Sequence, residues 1–541
     1  MCLPLDSNGN DLIKDSSMVD KKQPNVLFII CDDLNNAISG MGRAPSAPCP
    51  NLQQLMDSGV RFTNAHSNCP LCLPARNMLL SGLYAYTTGQ FTLWDPWDKT
   101  VHIHSTAEHG RLNRGAPLLG QAVMMPQHFK DNGYNVYGGG KVHHMGKVSD
   151  DWWTEYAFRP DYGPQVRSRE TGGMMRHPRM EKLYDGEPLA SYLERYGGID
   201  RFFLKEGDFS AHIELTFGPM DEIFTPDAGD FVYGDGSPYR YVSDDDRDLL
   251  PDENVTNWAV DVLGREHDKP FFLAAGFMKP HSPLNVPRRY FDMFPLDELE
   301  LPPLLQGDTD DCARTLVENW PFGFLFYGMI RNGGEEMWRK WVQAYLANIA
   351  FMDEQVGKIM AALRKSPYAD NTIVVFTSDN GYHMGEKEFI HKNTLWEEGG
   401  QVPIIFQGPG IAENGQCTRP VSLIDLYPTL IDLCGLPADP HASTHGHPLE
   451  GFSMTPLLSE PEKGIWDGPD VALMSVRGNT GIHHSVRSQR YRYTLCGNGE
   501  EELYDHETDP NEWTNIAADT AYKEIKGKLR KELVTLVYGQ G

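Results

Sequence analysis

The chain has 541 residues, an apolar fraction of 40%, a charged fraction of 23% and a net charge of −27. That length and balance suit a large globular core with room for two domains. The charge excludes a nucleic-acid backbone as the main partner, and no run reaches the ~18 apolar residues of a membrane-spanning helix.

Residues 1–24 are polar and carry no apolar signal-peptide core, so they read as a flexible leader. As written the chain is expected to be cytoplasmic, or periplasmic or secreted if a leader is lacking. Val26-Leu27-Phe28-Ile29-Ile30-Cys31 then forms a continuous apolar run ending at Asp32-Asp33, the pattern of a strand buried on both faces. In Cys72-Leu73-Pro74-Ala75-Arg76, Pro74 suits the first turn of a helix that Ser81-Gly82 ends. Residues 145–255 and 282–335 are rich in turn signals and read as insertions over a pocket mouth. Further buried runs fall at Phe271–Phe277, Thr372–Thr377 and Val402–Phe406. Between them Val342, Leu346, Ile349, Met352, Val356, Ile359 and Leu363 recur at helical spacing. The alternation predicts an α/β fold over 25–406, a large, mostly parallel central sheet flanked by helices, with ligands at the strands' carboxyl ends. From 407 the pattern predicts a smaller C-terminal α+β subdomain. It holds a helix over Val421–Leu436, strands of an antiparallel sheet at Val471–Val476 and Gln489–Thr494, and a last helix over Thr520–Val537.

The nine cysteines are too scattered for a disulfide scaffold, although one or two bridges would be compatible. Cys69 and Cys72 could form a redox pair or half a zinc site, or be plain buried thiols. Cys72 at a helix N-terminus is also well placed to meet an anion. Asp32-Asp33 and Asp379-Asn380 each follow a buried strand. Either could be a solvated turn, but as two ends of one sheet they imply a single hard cation held by oxygens. Cationic groups share the same region: Lys141, His143 and His144 after Gly138-Gly139-Gly140, His281 after Lys279-Pro280, and Lys392. The glycine run lacks the spacing of a phosphate loop. A local cationic pocket of this kind can serve an anionic substrate in an acidic protein.

With these residues assembled, the chain resembles the type I sulfatases of the alkaline phosphatase superfamily, from Asn25 to about Ala518. The resemblance is carried by Asn25–Asp33, Cys72-x-Pro74-x-Arg76 with Leu80-Ser-Gly, Asp131-Asn-Gly-Tyr before Gly140-Lys141, Lys279-Pro-His281, Thr377-Ser-Asp-Asn-Gly, Lys392 with Val402-Pro, and Glu502-Leu-Tyr-Asp with Asp509-Pro. Met125-Pro-Gln-His-Phe-Lys, Gly140-Lys-Val-His-His and Lys279-Pro-His-Ser-Pro make it most like the iduronate-2-sulfatase-type branch. The resemblance implies a hydrolase of sugar, aryl or alkyl sulfate monoesters. A maturation enzyme would oxidise Cys72 to formylglycine, cued by Pro74 and Arg76, before the fold closes around it. Asp32, Asp33, Asp379, Asn380 and the modified Cys72 would hold one divalent metal, Ca²⁺ ahead of Mg²⁺ or Mn²⁺. Arg76 and Lys141 would hold the aldehyde hydrate, Lys141, His281 and Lys392 the sulfate, and His281 or Lys392 would protonate the leaving oxygen. His144, or else His143, would accept the proton that expels sulfate.

Ala75 and Gln401 depart from the family pattern, Gln401 with a structural rather than chemical effect. The expected partners are a small-molecule or glycan sulfate ester and the maturation enzyme, with no nucleic acid, no membrane, and self-association open. Phosphonate monoester hydrolases share Cys-x-Pro-x-Arg, so a phosphonate or phosphodiester substrate is the alternative, and an unmatured binding protein a third. Trp94, Trp97, Trp152, Trp153, Arg176, His483 and His484 are weaker candidates for the pocket, with core or surface placement expected of each.

Overall fold

The computed structural model describes residues 23–93, 117–144, 149–170, 172, 216–319 and 321–539. Trp94, Trp97, Arg176 and nearly all of the expected leader lie outside them. Eight strands form the main sheet: β1 (Asn25–Asp32), β2 (Val60–Phe62), β3 (Asn135–Gly140), β4 (Glu155–Ala157), β5 (Phe271–Pro280), β6 (Thr372–Ser378), β7 (Ile404–Gln407) and β8 (Gly415–Cys417). Their spatial order is β8-β2-β7-β6-β1-β5-β3-β4. All run the same way except β7, which is antiparallel to β6 and β2.

The apolar runs form the middle of this sheet because both of its faces are covered. Leu27, Ile29 and Cys31 of β1 join one core with Leu273, Ala275, Val374 and Phe376. Val26, Phe28 and Ile30 point into a second core with Phe272, Ala274, Ile373 and Val375. Each buried Leu, Ile or Phe is worth ~1.5–3 kcal/mol, which makes β1 the sheet's anchor. On the first face lie α2 (Pro251–Gly264) and the long α3 (Gly334–Lys365), whose buried stripe includes Val342, Leu346, Ile349, Met352, Val356, Ile359 and Leu363. The second face packs against α1 (Cys72–Ser81) through Leu79 and Leu80 and against α4 (Leu426–Cys434).

The expected helix over Val421–Leu436 begins late. Val421-Ser422 instead pairs with Ala65-His66, and the Ser422 N–H donates to Asp425 Oδ2 at 2.8 Å, capping the chain before it turns into α4. Gly435 ends α4 in the left-handed region, at φ 61°. The C-terminal sheet has four antiparallel strands, β9 (Ala472–Gly478), β10 (Gly481–Arg487), β11 (Tyr491–Leu495) and β12 (Glu501–Asp505), followed by α5 (Lys523–Tyr538). Two of these, β10 and β12, were not expected. Residues 282–335 carry helices at Arg314–Asn319 and Pro321–Asn332, and β4 adds a strand from residues 145–255 to the sheet edge.

Candidate active site

Four neighbouring strands of the sheet deliver polar groups at their carboxyl ends. β1 ends in Asp32-Asp33, β6 in Ser378 before Asp379-Asn380, β5 in Lys279-Pro280 before His281, and β3 in Gly140 before Lys141. The glycines of β3 serve packing. A Cβ at Gly140, whose φ is 72°, would lie 2.1 Å from the Gly276 carbonyl oxygen, so only glycine lets β3 and β5 converge behind Lys141. Gly138 and Gly139 make room for the rings of Trp153 and Trp258.

Cys72 is the first residue of α1, a helix that Gly82 terminates at φ 68°. Arg76, one turn on, is fully buried and binds the sheet end directly. Its Nε donates to Asp379 Oδ2 at 2.8 Å and its Nη2 to the Cys31 carbonyl at 2.9 Å, with Asp32 Oδ1 3.7 Å away. Lys141 pairs with Asp32, and Lys392 with Asp33 at 2.6 and 2.7 Å. Asn380 Nδ2 donates to Asp33 Oδ1 at 2.8 Å. Ligand atoms of Asp32, Asp33, Cys72 and His281 all lie within 4.8 Å of one another. The His281 Nδ1–H is given to the Ser282 carbonyl at 2.6 Å, so Nε2, 3.7 Å from Asp33 Oδ2, faces the cradle.

The groups expected from sequence thus converge: Asp32, Asp33, Cys72, Arg76, Lys141, His281, Asp379, Asn380 and Lys392 share one buried cradle. His144 stands at its border, in the field of Lys141 and Asp32. His143 turns away, with Nε2 2.9 Å from Asn77 Oδ1. Lys279 also leaves the cradle: its ammonium donates to the Pro283 carbonyl and, at 3.5 Å, to that of His281. Asp252 accepts from the Met278 and Lys279 N–H groups at 2.8 and 2.9 Å, which fixes the end of β5.

Two observations test whether a divalent ion fits. Asp32 Oδ1 and Asn380 Oδ1 are buried and accept no hydrogen bond, an expensive arrangement for free oxygens. The donor set of three carboxylates and one amide oxygen is that of a hard cation such as Ca²⁺ or Mg²⁺. The residues present fit.

Burial sets the electrostatics. It pushes the Cys72 thiol up, reinforced by Asp32, and Lys392 and Lys141 do not offset it. Burial also raises Asp379, to about 7, against the pull of Arg76. For Asp32 burial acts upward too, but Lys141, His281, Lys392 and Arg76 together hold the carboxyl well below its ordinary value. Burial and then Lys392 lower His281; burial and then Lys141 lower His144.

Sequence reasoning missed Tyr345 and Tyr162. Tyr345, in the middle of α3, donates its hydroxyl to the Asp33 carbonyl at 2.7 Å and accepts from the Asn35 N–H at 3.2 Å. The ring of Tyr162 lies 5.6 Å from the Lys141 ammonium and 5.3 Å from the His281 ring. No local motif marks either. The remaining candidates are structural. Trp153 packs on Tyr156, Trp152 on His143, His484 bonds Ser475 within the C-terminal sheet, and His483 accepts from the Gly497 N–H. Gln401 donates to the Thr63 carbonyl, and Cys69 packs with Met78, Ala85 and Phe91. Among the described residues every cysteine is a free thiol.

A family model described as Sulfatase matches residues 24–436, and one described as N-sulphoglucosamine sulphohydrolase, C-terminal, matches residues 385–538. A sulfatase of Formosa agariphila is 32% identical over 509 residues, covering 93% of this chain and 85% of that protein. An iduronate 2-sulfatase of Mus musculus is 25% identical over 592 residues, covering 94% and 93%. A solved structure described as a complex with its substrate D-glucosamine-2-N,6-O-disulfate aligns with a TM-score of 0.62 at 18% identity, over 95% of this chain and 98% of that one. The phosphonate monoester hydrolase of Silicibacter pomeroyi aligns with a TM-score of 0.64 at 19% identity, over 95% and 94%. These two structures are alike in fold. The family match and the Formosa relative, each spanning most of the chain, reach further: the protein belongs to the sulfatase family, hydrolases of sulfate esters.

Proposed function

We propose that the protein hydrolyses the sulfate ester of a sugar, using a formylglycine hydrate made from Cys72 beside one Ca²⁺ ion held by Asp32, Asp33, Asp379 and Asn380. The placement of Cys72 carries this reading. Its Sγ lies among the metal-type ligand atoms at the head of α1, yet burial pushes its thiol up, so at neutral pH it is a protonated, weak nucleophile. A hydrated aldehyde on the same carbon supplies one hydroxyl to attack sulfur and a second whose deprotonation expels sulfate by C–O cleavage. The ion, when bound, supplies positive charge to the sulfate and nucleophile oxygens.

The chain's own residues do the rest. Arg76 and Lys141 orient the hydrate, and Lys141, Lys392 and His281 surround the sulfate oxygens with preorganised donors. The Lys392 ammonium, or His281 Nε2 once a bound sulfate has charged the imidazole, gives a proton to the leaving oxygen. His144 takes the proton from the second hydroxyl. His144 is favoured over His143 because it lies in the field of Lys141 and Asp32, whereas His143 Nε2 is engaged by Asn77. A sugar is the favoured leaving group because relatives in the family include an iduronate 2-sulfatase.

The test is a mass measurement on the Cys72 peptide from the native host, paired with kcat/KM for 4-nitrophenyl sulfate and phenyl phosphonate. Formylglycine, sulfate preference and abolished turnover in a folded Cys72→Ala variant are expected. A peptide carrying only thiol, or a preference for the phosphonate, would defeat the reading.

A further inference from the structure

We infer that Tyr162 is the platform for the ring of the leaving group, and so a residue that sets specificity for sugar sulfates over flexible alkyl sulfates. The inference rests on the proposed roles of Lys141 and His281.

Cys72, Lys141, His281 and Lys392 are each 5% exposed or less, whereas Tyr162, whose ring touches two of them, is partly exposed. Tyr162 thus borders the cradle on a side that reaches solvent. An ester with its sulfate on Lys141 and its bridging oxygen at His281 would bring its leaving group against the ring that borders both.

Tyr162 follows β4, which is paired to β3, and the Tyr156 hydroxyl donates to the Gly140 carbonyl at 2.5 Å, just before Lys141. Its neighbour Asp161 accepts from the Gly163 N–H at 2.8 Å and from the Gly234 N–H at 3.1 and 3.2 Å, stapling this segment to a second loop. Gly163 adopts φ 101°, a turn that other residues resist. The ring is held before substrate arrives, so little ordering entropy is lost on binding.

An aromatic face offers a large flat apolar surface to the C–H face of a pyranose or to an aryl ring, and less to a flexible alkyl chain. Contacts remote from the reacting atoms can hold the scissile bond in place.

The test compares Tyr162→Ala and Tyr162→Phe with the parent enzyme. The substrates are O-sulfated monosaccharides, 4-nitrophenyl sulfate and hexyl sulfate, with inorganic sulfate as a competitive inhibitor. Tyr162→Ala should raise KM for the ring substrates about tenfold, the worth of one aromatic contact, with a much smaller change for hexyl sulfate and in the Ki of sulfate. Tyr162→Phe should recover most of the loss. An equal rise in the Ki of sulfate would place Tyr162 in the sulfate cradle and overturn the inference, as would equal losses for ring and alkyl substrates. A loss confined to 4-nitrophenyl sulfate would remove the sugar. Calorimetric binding of the same esters to Cys72→Ala, with and without Tyr162→Ala, reads the platform without turnover. A platform effect there alongside a parent enzyme that turns over no sulfate ester would defeat the catalytic reading and leave this one standing.

Discussion

Asp33 sits at φ 63°, a conformation that costs a non-glycine residue of order 1–3 kcal/mol. Tyr345 holds it there through bonds to the Asp33 carbonyl and the Asn35 N–H. The Tyr345 ring is itself fixed, stacked on Trp341 and Tyr382 at centroid distances of 6.0 and 5.7 Å. With its backbone so clamped, Asp33 turns its carboxylate to Lys392 and Asn380. We predict that Tyr345→Phe weakens Ca²⁺ binding about tenfold, the worth of a buried hydrogen bond of ~1–1.5 kcal/mol. The readout is the Ca²⁺ concentration needed to raise the melting temperature of chelator-treated protein, and an unchanged titration would show that Asp33 needs no clamp. His144→Ala should release leaving group in a single burst and then stall with sulfate retained on the Cys72 peptide. His143→Ala should instead turn over and lose stability, since it leaves Asn77 Oδ1 without its partner. If His143→Ala is the variant that stalls, the assignment reverses. The strand-end residues were legible in sequence because a few adjacent positions carry their chemistry. Tyr162 and Tyr345 were not, because each reaches the cradle from an element whose own pattern reports only packing.

Among the elements, β1, β5 and β6 announced themselves as apolar runs. β10 did not, because its buried positions include His483, His484, Ser485 and Arg487. Two of them find partners that only the fold supplies: Ser475 for His484, Glu397 for Arg487. β11 continues this interior with Arg492, paired to Glu397 and, at 2.5 Å, to Glu512. Glu397, Glu512 and His506 cluster like metal ligands, but Arg487 and Arg492 already neutralise them. The segment carrying Lys392 was equally hidden: Lys387 and Glu388 take φ of 57° and 54°, which neither residue type advertises. Glu502 of β12 braces this region, accepting from the Ala313 N–H at 2.6 Å and from Trp396 Nε1 at 3.1 Å. Burial raises its carboxyl to about 7 from 4.5. A folded-state value above the unfolded one means that its contribution is complete below the unfolded value and is lost as pH rises toward 7. That loss amounts to about 3 kcal/mol. Urea midpoints across pH 4–8 should therefore fall more steeply for the parent than for Glu502→Gln, and parallel curves would contradict this.

At the scale of the molecule, alternation of apolar strands with helices was enough to predict a mostly parallel sheet. The reversed direction of β7 and the recruitment of β8 from beyond residue 407 were not readable, because strand order depends on pairings hundreds of residues apart. The whole fold also decides something about Cys72. Only 2% of its surface is exposed, beneath a sheet end, a helix and the segment carrying Lys392. On the proposed maturation, a second enzyme would have to oxidise the Cys72 side-chain carbon and remove its sulfur before folding closes over it. Chains that folded first would keep a thiol and chains converted first would carry an aldehyde; the thiol form could be converted only after unfolding, and the aldehyde, having lost its sulfur, could not return. Specific activity would thus record the maturation conditions of the host rather than any later treatment. Purified thiol-form protein is expected to resist conversion by the maturation enzyme, while an unfolded peptide spanning Cys69–Gly82 is converted, and efficient conversion of the folded chain would refute that history.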